Sequence, residues 1–200
     1  MLTFAGAVFL LIITPGPGVL SAAGMGSAYG FRPGLRYLVG LFIGTNLVGF
    51  AVISGLAAII LSVPAVRTIF LVASMGYLLY LAYRIAFAGS RVAFIEAKTP
   101  PGIPSGVLLQ VINPKAYAVN TTLYMGFAFY PDSFLFEMTA KVLIMNAIWI
   151  PIHLVWLYAG ASLHRLNLSD RAQFRINVLM ALSMLGVVVL AFLSSFGGSQ

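Results

Sequence analysis

The residues of this sequence that could do chemistry lie inside long apolar stretches. Lys115 follows Asn113 and Pro114 in the stretch VLLQVINPKAYAV, and the motif TPGPG at residues 14–18 follows the apolar run AVFLLII. Of the two histidines, His153 lies in an apolar stretch. An ammonium, an imidazole and amide groups in such surroundings can bind a ligand or carry a proton.

The same residue types exclude other kinds of site. The chain has no cysteine and only four acids, Glu96, Asp132, Glu137 and Asp170, all of which we assign to connecting loops. No carboxylate pair, Ser/His/Asp set or metal-ligand cluster can be assembled at one depth. We therefore expect no enzyme activity, no cofactor and no metal, and we leave open whether His153 merely joins two helices by a hydrogen bond.

Composition defines the surroundings of these residues. Hydrophobic residues make up 61% of the chain and charged residues 8%, with a mean hydropathy of +1.03. These values predict an integral membrane protein whose main partner is the lipid bilayer. The net charge of +7 does not indicate nucleic acid, because the basic residues are spread between apolar segments.

Six apolar stretches are long enough to span a membrane, and the sequence thus predicts an all-α fold of six transmembrane helices. They cover 2–28, 37–63, 68–88, 105–130, 138–162 and 176–196. Eight basic residues lie near the ends of these stretches on one side of the membrane, whereas Arg67 and Lys141 lie on the other side. The positive-inside rule makes the richer side cytoplasmic, so both termini are expected in the periplasm. The first stretch lacks the positive n-region of a signal peptide, which favours a retained span.

Faint internal symmetry suggests a duplicated unit. Pro114 corresponds in position to the prolines of TPGPG, and Asn146 corresponds to Asn46. We expect one transmembrane domain over 1–200, with a first repeat at about 1–90, a cytoplasmic loop at about 91–104 and a second repeat at about 105–200. Three helices per repeat would make the two repeats inverted, with helices 1 and 4 broken, as in many transporters.

The breaks have a physical use. Pro15 and Pro17 lack the N–H groups that would bond two preceding carbonyls, and Gly16 and Gly18 allow the chain to leave the helix. Asn113 is a good N-cap and Pro114 suits the first helical position. Two half-helix N-termini would then meet near the middle of the membrane and form an anion site. The alternative is that the prolines are ordinary kinks.

Lys115 strengthens the functional interpretation. It lies about 15 Å below Ser105, the predicted cytoplasmic end of its helix, at the usual helical rise. No acid is predicted within the membrane, so either freed carbonyls and Asn side chains hold the ammonium, or a substrate carboxylate does. The candidate binding residues are Thr14, Pro15, Gly16, Pro17, Gly18, Asn46, Asn113, Pro114, Lys115, Asn120 and Asn146.

Together, TPGPG, FRPGLRYLVGLFIGTNLVG, MGYLLYLAYR and INPKAY resemble the LysE/RhtB family of amino-acid exporters over nearly the whole chain. The resemblance implies a six-helix exporter of the bacterial inner membrane, driven by the proton gradient and forming a homodimer. Family members often carry Asp or Asn where this chain has Gly18, and the exported solute is therefore left open.

Two hypotheses follow. The first is a secondary active exporter of amino acids or related carboxylate-bearing metabolites, with Lys115 or His153 as the coupling group. The second is a non-transporting membrane subunit or scaffold whose helix breaks serve packing. Glycines at four-residue spacing, including Gly40 and Gly44, are expected to pack helices within the chain, with a dimer seam as the alternative.

Overall fold

The computed structural model describes residues 1–87, 99–166, 169, 171–172, 174–183 and 186. All regular elements within those residues are helices. They are α1 (Leu2–Ile13), α2 (Pro17–Tyr29), α3 (Phe31–Ile53), α4 (Leu56–Ser62), α5 (Pro64–Ala86), α6 (Ile103–Ile112), α7 (Pro114–Gly126), α8 (Phe134–Arg165) and α9 (Phe174–Ser183).

Three of the described helices, α3, α5 and α8, are long and apolar enough to cross a membrane. The pair α1 and α2, bent by 51° at its break, adds a fourth if it is counted as one span. Helices α6 and α9 are apolar but shorter. Most of the sixth predicted stretch, 176–196, and most of the predicted loop at 91–104 lie outside the described residues. The all-α prediction is thus confirmed, at a coarser level than six spans.

Both predicted helix breaks are confirmed. Helix α1 ends at Ile13 and α2 begins at Pro17, with Gly16 in an extended conformation between them. Helix α6 ends at Ile112 and α7 begins at Pro114. Asn113 caps α7 as predicted, because its Oδ1 accepts a hydrogen bond from the Lys115 backbone N–H at 3.0 Å.

The predicted second span, 37–63, is wrong in two respects. It begins earlier, at Phe31, because Pro33 falls in the first turn of α3, where a missing N–H costs little. Most of the stretch FRPGLR, predicted as a connection, is therefore helical. The span also breaks at Gly55, which has a φ of 77° that other residues rarely adopt.

Glu137 is predicted in a loop, which is wrong, whereas Lys141 is predicted within the fifth span, 138–162, which is confirmed. Helix α8 begins at Phe134, so both residues are helical, and they are 5% and 1% exposed. Their side chains form an ion pair at 2.6 Å. Glu137 also accepts from the backbone N–H of Tyr130 at 2.7 Å, and Lys141 donates to the Tyr124 carbonyl at 2.9 Å. These bonds offset the cost of burying two charges.

Helix ends gather at two opposite ends of the molecule. Near one end, His164 of α8 contacts the Ser27 carbonyl of α2 at 2.9 Å. At the other, the ring of Phe4 in α1 lies 5.8 Å from that of Phe127, just after α7. Two residues after Phe127, a backbone N–H donates to Glu137 at the start of α8. Helices α2 and α8 therefore end at one end of the molecule while α1 and α8 begin at the other, so the broken pair α1 and α2 runs in the same direction as α8.

Close backbone packing joins α3 to α6 and α2 to α8. A Cβ on Gly40 would overlap the Ile103 carbonyl oxygen, and one on Gly160 would overlap the Ala23 carbonyl. A Cβ on Gly44 would lie 2.7 Å from the Cβ of Gln110. We call the α3–α6 contact, which contains Gly40 and Gly44, and the α2–α8 contact, which contains Gly160, the two glycine seams. Gly40 and Gly44 thus pack within the chain, as expected, and the alternative of a dimer seam at these glycines is wrong because α6 covers them.

Candidate functional site

The two helix breaks meet at one small cavity. Its volume is about 60 Å³, and α1, α2, α3, α6, α7 and α8 all contribute to its wall. The lining residues are Leu11, Ile12, Thr14, Gly16, Gly18, Val19, Thr45, Gln110, Asn113, Lys115, Ala116, Val119, Asn120, Met145, Trp149 and His153. The fold therefore brings residues near position 15 together with residues near 115 and 150.

Lys115 reaches across this cavity to the end of α1. Its Nζ donates to the Thr14 carbonyl at 3.0 Å and lies 3.4 Å from the Pro15 carbonyl. Carbonyls at a helix C-terminus carry the negative end of the helix dipole, which stabilises an ammonium. The sequence left open whether protein carbonyls and Asn side chains or a substrate carboxylate hold the Lys115 ammonium. In this structure, backbone carbonyls hold it.

Gly16 is needed for space at this contact. A Cβ on Gly16 would lie 2.7 Å from the Nζ and 2.9 Å from the Cδ of Lys115. Its φ of −162° is extended backbone that any residue adopts, so strain is not the reason. The missing side chain lets the lysine pass alongside the break.

The two half-helix N-termini differ in how they are capped. Asn113 caps α7, whereas Gly16 provides α2 with no side-chain cap. The first turn of a helix leaves N–H groups without intrahelical partners. The N-terminus of α2 can therefore donate hydrogen bonds to an anion beside Lys115.

His153 forms part of the cavity wall with a defined orientation. It is 3% exposed, and its ring stacks on Trp149 with centroids 3.6 Å apart and planes 15° apart. Its Nδ1 lies 3.0 Å from the Trp149 carbonyl, which can only accept, so a neutral ring carries its proton on Nδ1. The Nε2 then has a free lone pair, on the side where a Cβ on Gly18 would lie 3.4 Å away.

Two amide side chains add polar atoms to the wall. Asn120 is 1% exposed and donates from Nδ2 to the Ala116 carbonyl at 2.7 Å. Its Oδ1 has no hydrogen-bond partner among the described residues. Gln110 Oε1 accepts from Asn113 Nδ2 at 3.2 Å.

Sequence reasoning did not select Gln110, Thr45 or Trp149 as site residues. Gln110 could have been found, because it is polar, lies mid-span and stands four residues before Pro114, which has no N–H to bond its carbonyl. In the structure that carbonyl accepts from the Asn113 backbone N–H at 3.2 Å. Thr45 and Trp149 carried no signal in the sequence, because nothing local distinguishes them from packing residues.

Asn46 and Asn146 come together away from the cavity wall. Each donates from its Nδ2 to the Oδ1 of the other, at 3.2 and 3.0 Å. Neither lines the cavity, and the amide groups satisfy each other. Of the predicted prolines, Pro17 and Pro114 begin α2 and α7, and Pro15 contributes its carbonyl to Lys115.

The cavity is electrostatically positive. Lys115 and His153 are the titratable groups that line it, and no acid does. Glu137 is engaged with Lys141 elsewhere on α8. Over the described ranges, no group of three or more His, Cys, Asp or Glu residues could hold a metal ion.

Comparisons with known proteins find a family and several relatives for this chain. A family model described as "LysE type translocator" matches residues 9–196. The leucine efflux protein of Klebsiella pneumoniae subsp. pneumoniae is 27% identical over 127 residues, which cover 61% of this chain and 59% of that protein. The leucine efflux protein of Salmonella choleraesuis is 28% identical over 128 residues, with the same coverage.

The corresponding protein of Enterobacter sp. is 25% identical over 130 residues, or 62% of each chain. The matched part thus spans about three-fifths of the length of these relatives. No solved structure matches.

Proposed function

The chain belongs to the LysE type translocator family, and from that premise we propose that it is a secondary active exporter of amino acids or related carboxylate-bearing metabolites. The family to which it belongs and its apolar helices identify the chain as a bacterial multi-pass membrane protein. The proposed direction of transport is out of the cytoplasm across the inner membrane, and the proposed driving force is the proton gradient.

One observation carries the proposal: among the described residues, the hydrogen-bond partners of the Lys115 ammonium are backbone carbonyls. Lys115 Nζ contacts Thr14 O and Pro15 O, which are neutral. A carboxylate is a stronger partner for an ammonium than a carbonyl is. A substrate carboxylate can therefore displace these carbonyls, with its second oxygen facing the uncapped N-terminus of α2.

The size of the cavity indicates that binding involves movement. Ligand pockets usually measure about 300–1,000 Å³, whereas this cavity measures about 60 Å³. The contact between Lys115 and the end of α1 lies at its wall and ties α1 to α7. Release of that contact by a carboxylate would allow α1 and α7 to separate, which couples binding to opening.

The rest of the wall favours an apolar side chain. Leu11, Ile12, Val19 and Met145 contribute aliphatic or thioether surface beside the polar groups. The relatives named leucine efflux proteins suggest leucine as the first substrate to test.

The proposed topology is six spans in two inverted repeats, with both termini in the periplasm. In this topology the first and fifth spans cross the membrane in the same direction, so the common direction of α1–α2 and α8 supports it, as does the bias of basic residues. A homodimer also remains a proposal, and it would have to use a surface other than Gly40 and Gly44.

The decisive experiment is efflux from proteoliposomes loaded with radiolabelled leucine or another amino acid, with and without an acidic outer medium. Wild type should export at least one amino acid, faster with acid outside. Lys115→Met keeps length and apolarity, so the protein should fold, but efflux should fall about 10- to 100-fold because a charged hydrogen bond is lost.

The scaffold alternative makes the opposite prediction. A non-transporting subunit would export none of the amino acids, with or without the gradient. Normal efflux by Lys115→Met at normal abundance would show that the breaks at TPGPG and INPKA serve packing.

A further inference from the structure

We infer that Glu137, Lys141 and Phe4 form a gate at the end of the molecule opposite the glycine seams, and that this gate opens when a solute leaves the cavity. The inference rests on the proposed function and on the topology proposed with it, in which that end faces the periplasm. It adds residues that hold and release the exit to those that bind the substrate.

The gate residues lie on three helices, each just beyond the cavity. Lys141 lies one turn before Met145, a cavity residue of α8, and Tyr124 lies one turn after Asn120, the last cavity residue of α7. Phe4, which is 1% exposed, lies about two turns before the cavity residues of α1. All three are displaced toward the end of the molecule at which α1 and α8 begin.

A buried ion pair holds α7 and the segment after it against α8. Glu137 and Lys141 bond each other at 2.6 Å, and Lys141 Nζ also donates to the Tyr124 carbonyl at 2.9 Å, near the end of α7. The second carboxylate oxygen of Glu137 accepts from the backbone N–H groups of Phe129 and Tyr130, at 3.2 and 2.7 Å. The two side chains thus join α8 to α7 and to the connection between them.

An aromatic contact attaches α1 to the same connection. The Phe4 ring lies 5.8 Å from the ring of Phe127 and 5.7 Å from that of Phe129. Lys141 Nζ lies 5.6 Å from the centre of the Phe129 ring, so the polar and the aromatic contacts meet at this residue. Movement of the connection would therefore release α1 and α8 together.

The glycine seams at the other end are built differently. There, a Cβ on Gly40 or Gly160 would overlap backbone atoms of the neighbouring helix. Backbones in contact separate only when whole helices move, whereas rings and charged side chains also separate by changing rotamer. The end that carries Phe4 and Glu137 is therefore the easier of the two to open.

The buried charges lower the cost of opening further. An ion pair inside a protein has lost the hydration of both charges, and apolar residues of similar volume often stabilise a fold more than such a pair does. Opening returns water to Glu137 and Lys141 and recovers that hydration. A contact between phenylalanine rings alone gains nothing from water. The ion pair therefore brings the closed and open forms closer in free energy, as a gate requires.

A reversible cross-link tests the gate in this chain, which has no cysteine. Phe4→Cys with Phe127→Cys places two thiols where the rings now meet, and a short bis-thiosulfonate reagent should join them. Efflux from proteoliposomes is measured with the amino acid that wild type exports fastest. It should fall about tenfold or more after cross-linking, because opening then limits the rate. Reduction of the cross-link should restore it.

Phe87→Cys with Phe174→Cys is the matched control. Those rings lie 5.9 Å apart but join the end of α5 to the start of α9, and neither residue lines the cavity. The cross-linked control should export as fast as its reduced form. A cross-link between positions 4 and 127 that forms and leaves efflux unchanged would overturn the gate and leave export intact. Absence of efflux by wild type would overturn the proposed function itself.

Glu137→Gln combined with Lys141→Met tests the charges without a cross-link. The volumes stay similar, and the amide oxygen that replaces a carboxylate oxygen can still accept from the Tyr130 N–H. The unfolding temperature should stay equal or rise. Efflux should slow about tenfold, because opening no longer hydrates two charges. A lower unfolding temperature with normal efflux would show that the ion pair only stabilises the fold, and would overturn its role in the gate.

Discussion

The Lys115 side chain holds the end of α1, and in the proposed function it also binds the substrate carboxylate. Its ammonium needs a negative partner, because a charge in the membrane interior is costly. Without a substrate, the Thr14 and Pro15 carbonyls meet that need across the cavity. In the proposed function, a substrate carboxylate is the stronger partner, so it would compete with these carbonyls for the ammonium.

His153 is the residue at which we predict that efflux is coupled to the proton gradient. Its Nε2 lone pair, in a ring that lines the cavity, can accept a proton. The other titratable group on the cavity wall is Lys115 of α7, and the linings from α1, α2, α3 and α6 add none. His153→Gln keeps an acceptor but cannot titrate. We expect efflux down a substrate gradient to persist while stimulation by external acid is lost.

The measurement is the ratio of efflux with and without the pH gradient, at matched protein abundance. A variant that keeps the full stimulation would assign coupling to Lys115 or to the substrate. Loss of all efflux together with loss of binding would instead indicate that His153 has a structural role.

At the scale of elements, the glycine seams hold the broken helices in place. Helices α6 and α7 are short and interrupted, and isolated helices of this length are marginal. Close contact with α3 supplies the missing support, since Gly40 lies against Ile103 and Gly106. Small residues permit such contact because lipid provides no hydrophobic force between helices.

Gly40→Ala should therefore damage packing rather than chemistry. Its Cβ would overlap the Ile103 carbonyl, and backbone atoms cannot move aside as a side-chain end can. We expect lower abundance and an apparent unfolding temperature reduced by about 5 °C or more. Substrate affinity of the protein that does fold should stay near that of wild type.

Gly76→Ala is the control, because a Cβ there would meet nothing within 4 Å. It should leave the unfolding temperature within a degree or two of wild type, or raise it slightly through helix propensity. Equal behaviour of the two variants would mean that the α3–α6 seam does not limit stability.

For the whole molecule, both glycine seams lie on one side of the cavity. Gly26 follows the cavity residues of α2, Gly106 precedes those of α6, and Gly160 follows those of α8. All three are therefore displaced toward the end where Ser27 contacts His164. In the proposed topology that end is the cytoplasmic one, and the cavity would therefore be closed from the cytoplasm in this conformation.

A chain without cysteine allows this to be measured directly. Val119→Cys, on the cavity wall, should react with a membrane-impermeant maleimide added from the periplasmic side and resist it from the cytoplasmic side. Leu163→Cys, near the end of α8, should show the reverse. Labelling of Val119→Cys from the cytoplasm alone would contradict either the topology or the closed side.

Local rules explain what could be predicted from the sequence alone. Apolar length indicated membrane helices, and proline without an N–H predicted breaks at TPGPG and at Asn113, where the helices do end. The isolation of Lys115 among apolar residues marked the site. Each of these properties depends on residues a few positions apart, and is therefore visible in one stretch of chain.

Only the tertiary structure decided the contacts between distant positions. It placed Lys115 on the carbonyls of Thr14 and Pro15, about a hundred residues away, and it aimed the free nitrogen of His153 at the cavity beside Gly18. It also left Asn120 Oδ1 without a hydrogen-bond partner among the residues that the structure describes. Whether a polar group is paired depends on which helices pack around it, and no local pattern contains that information.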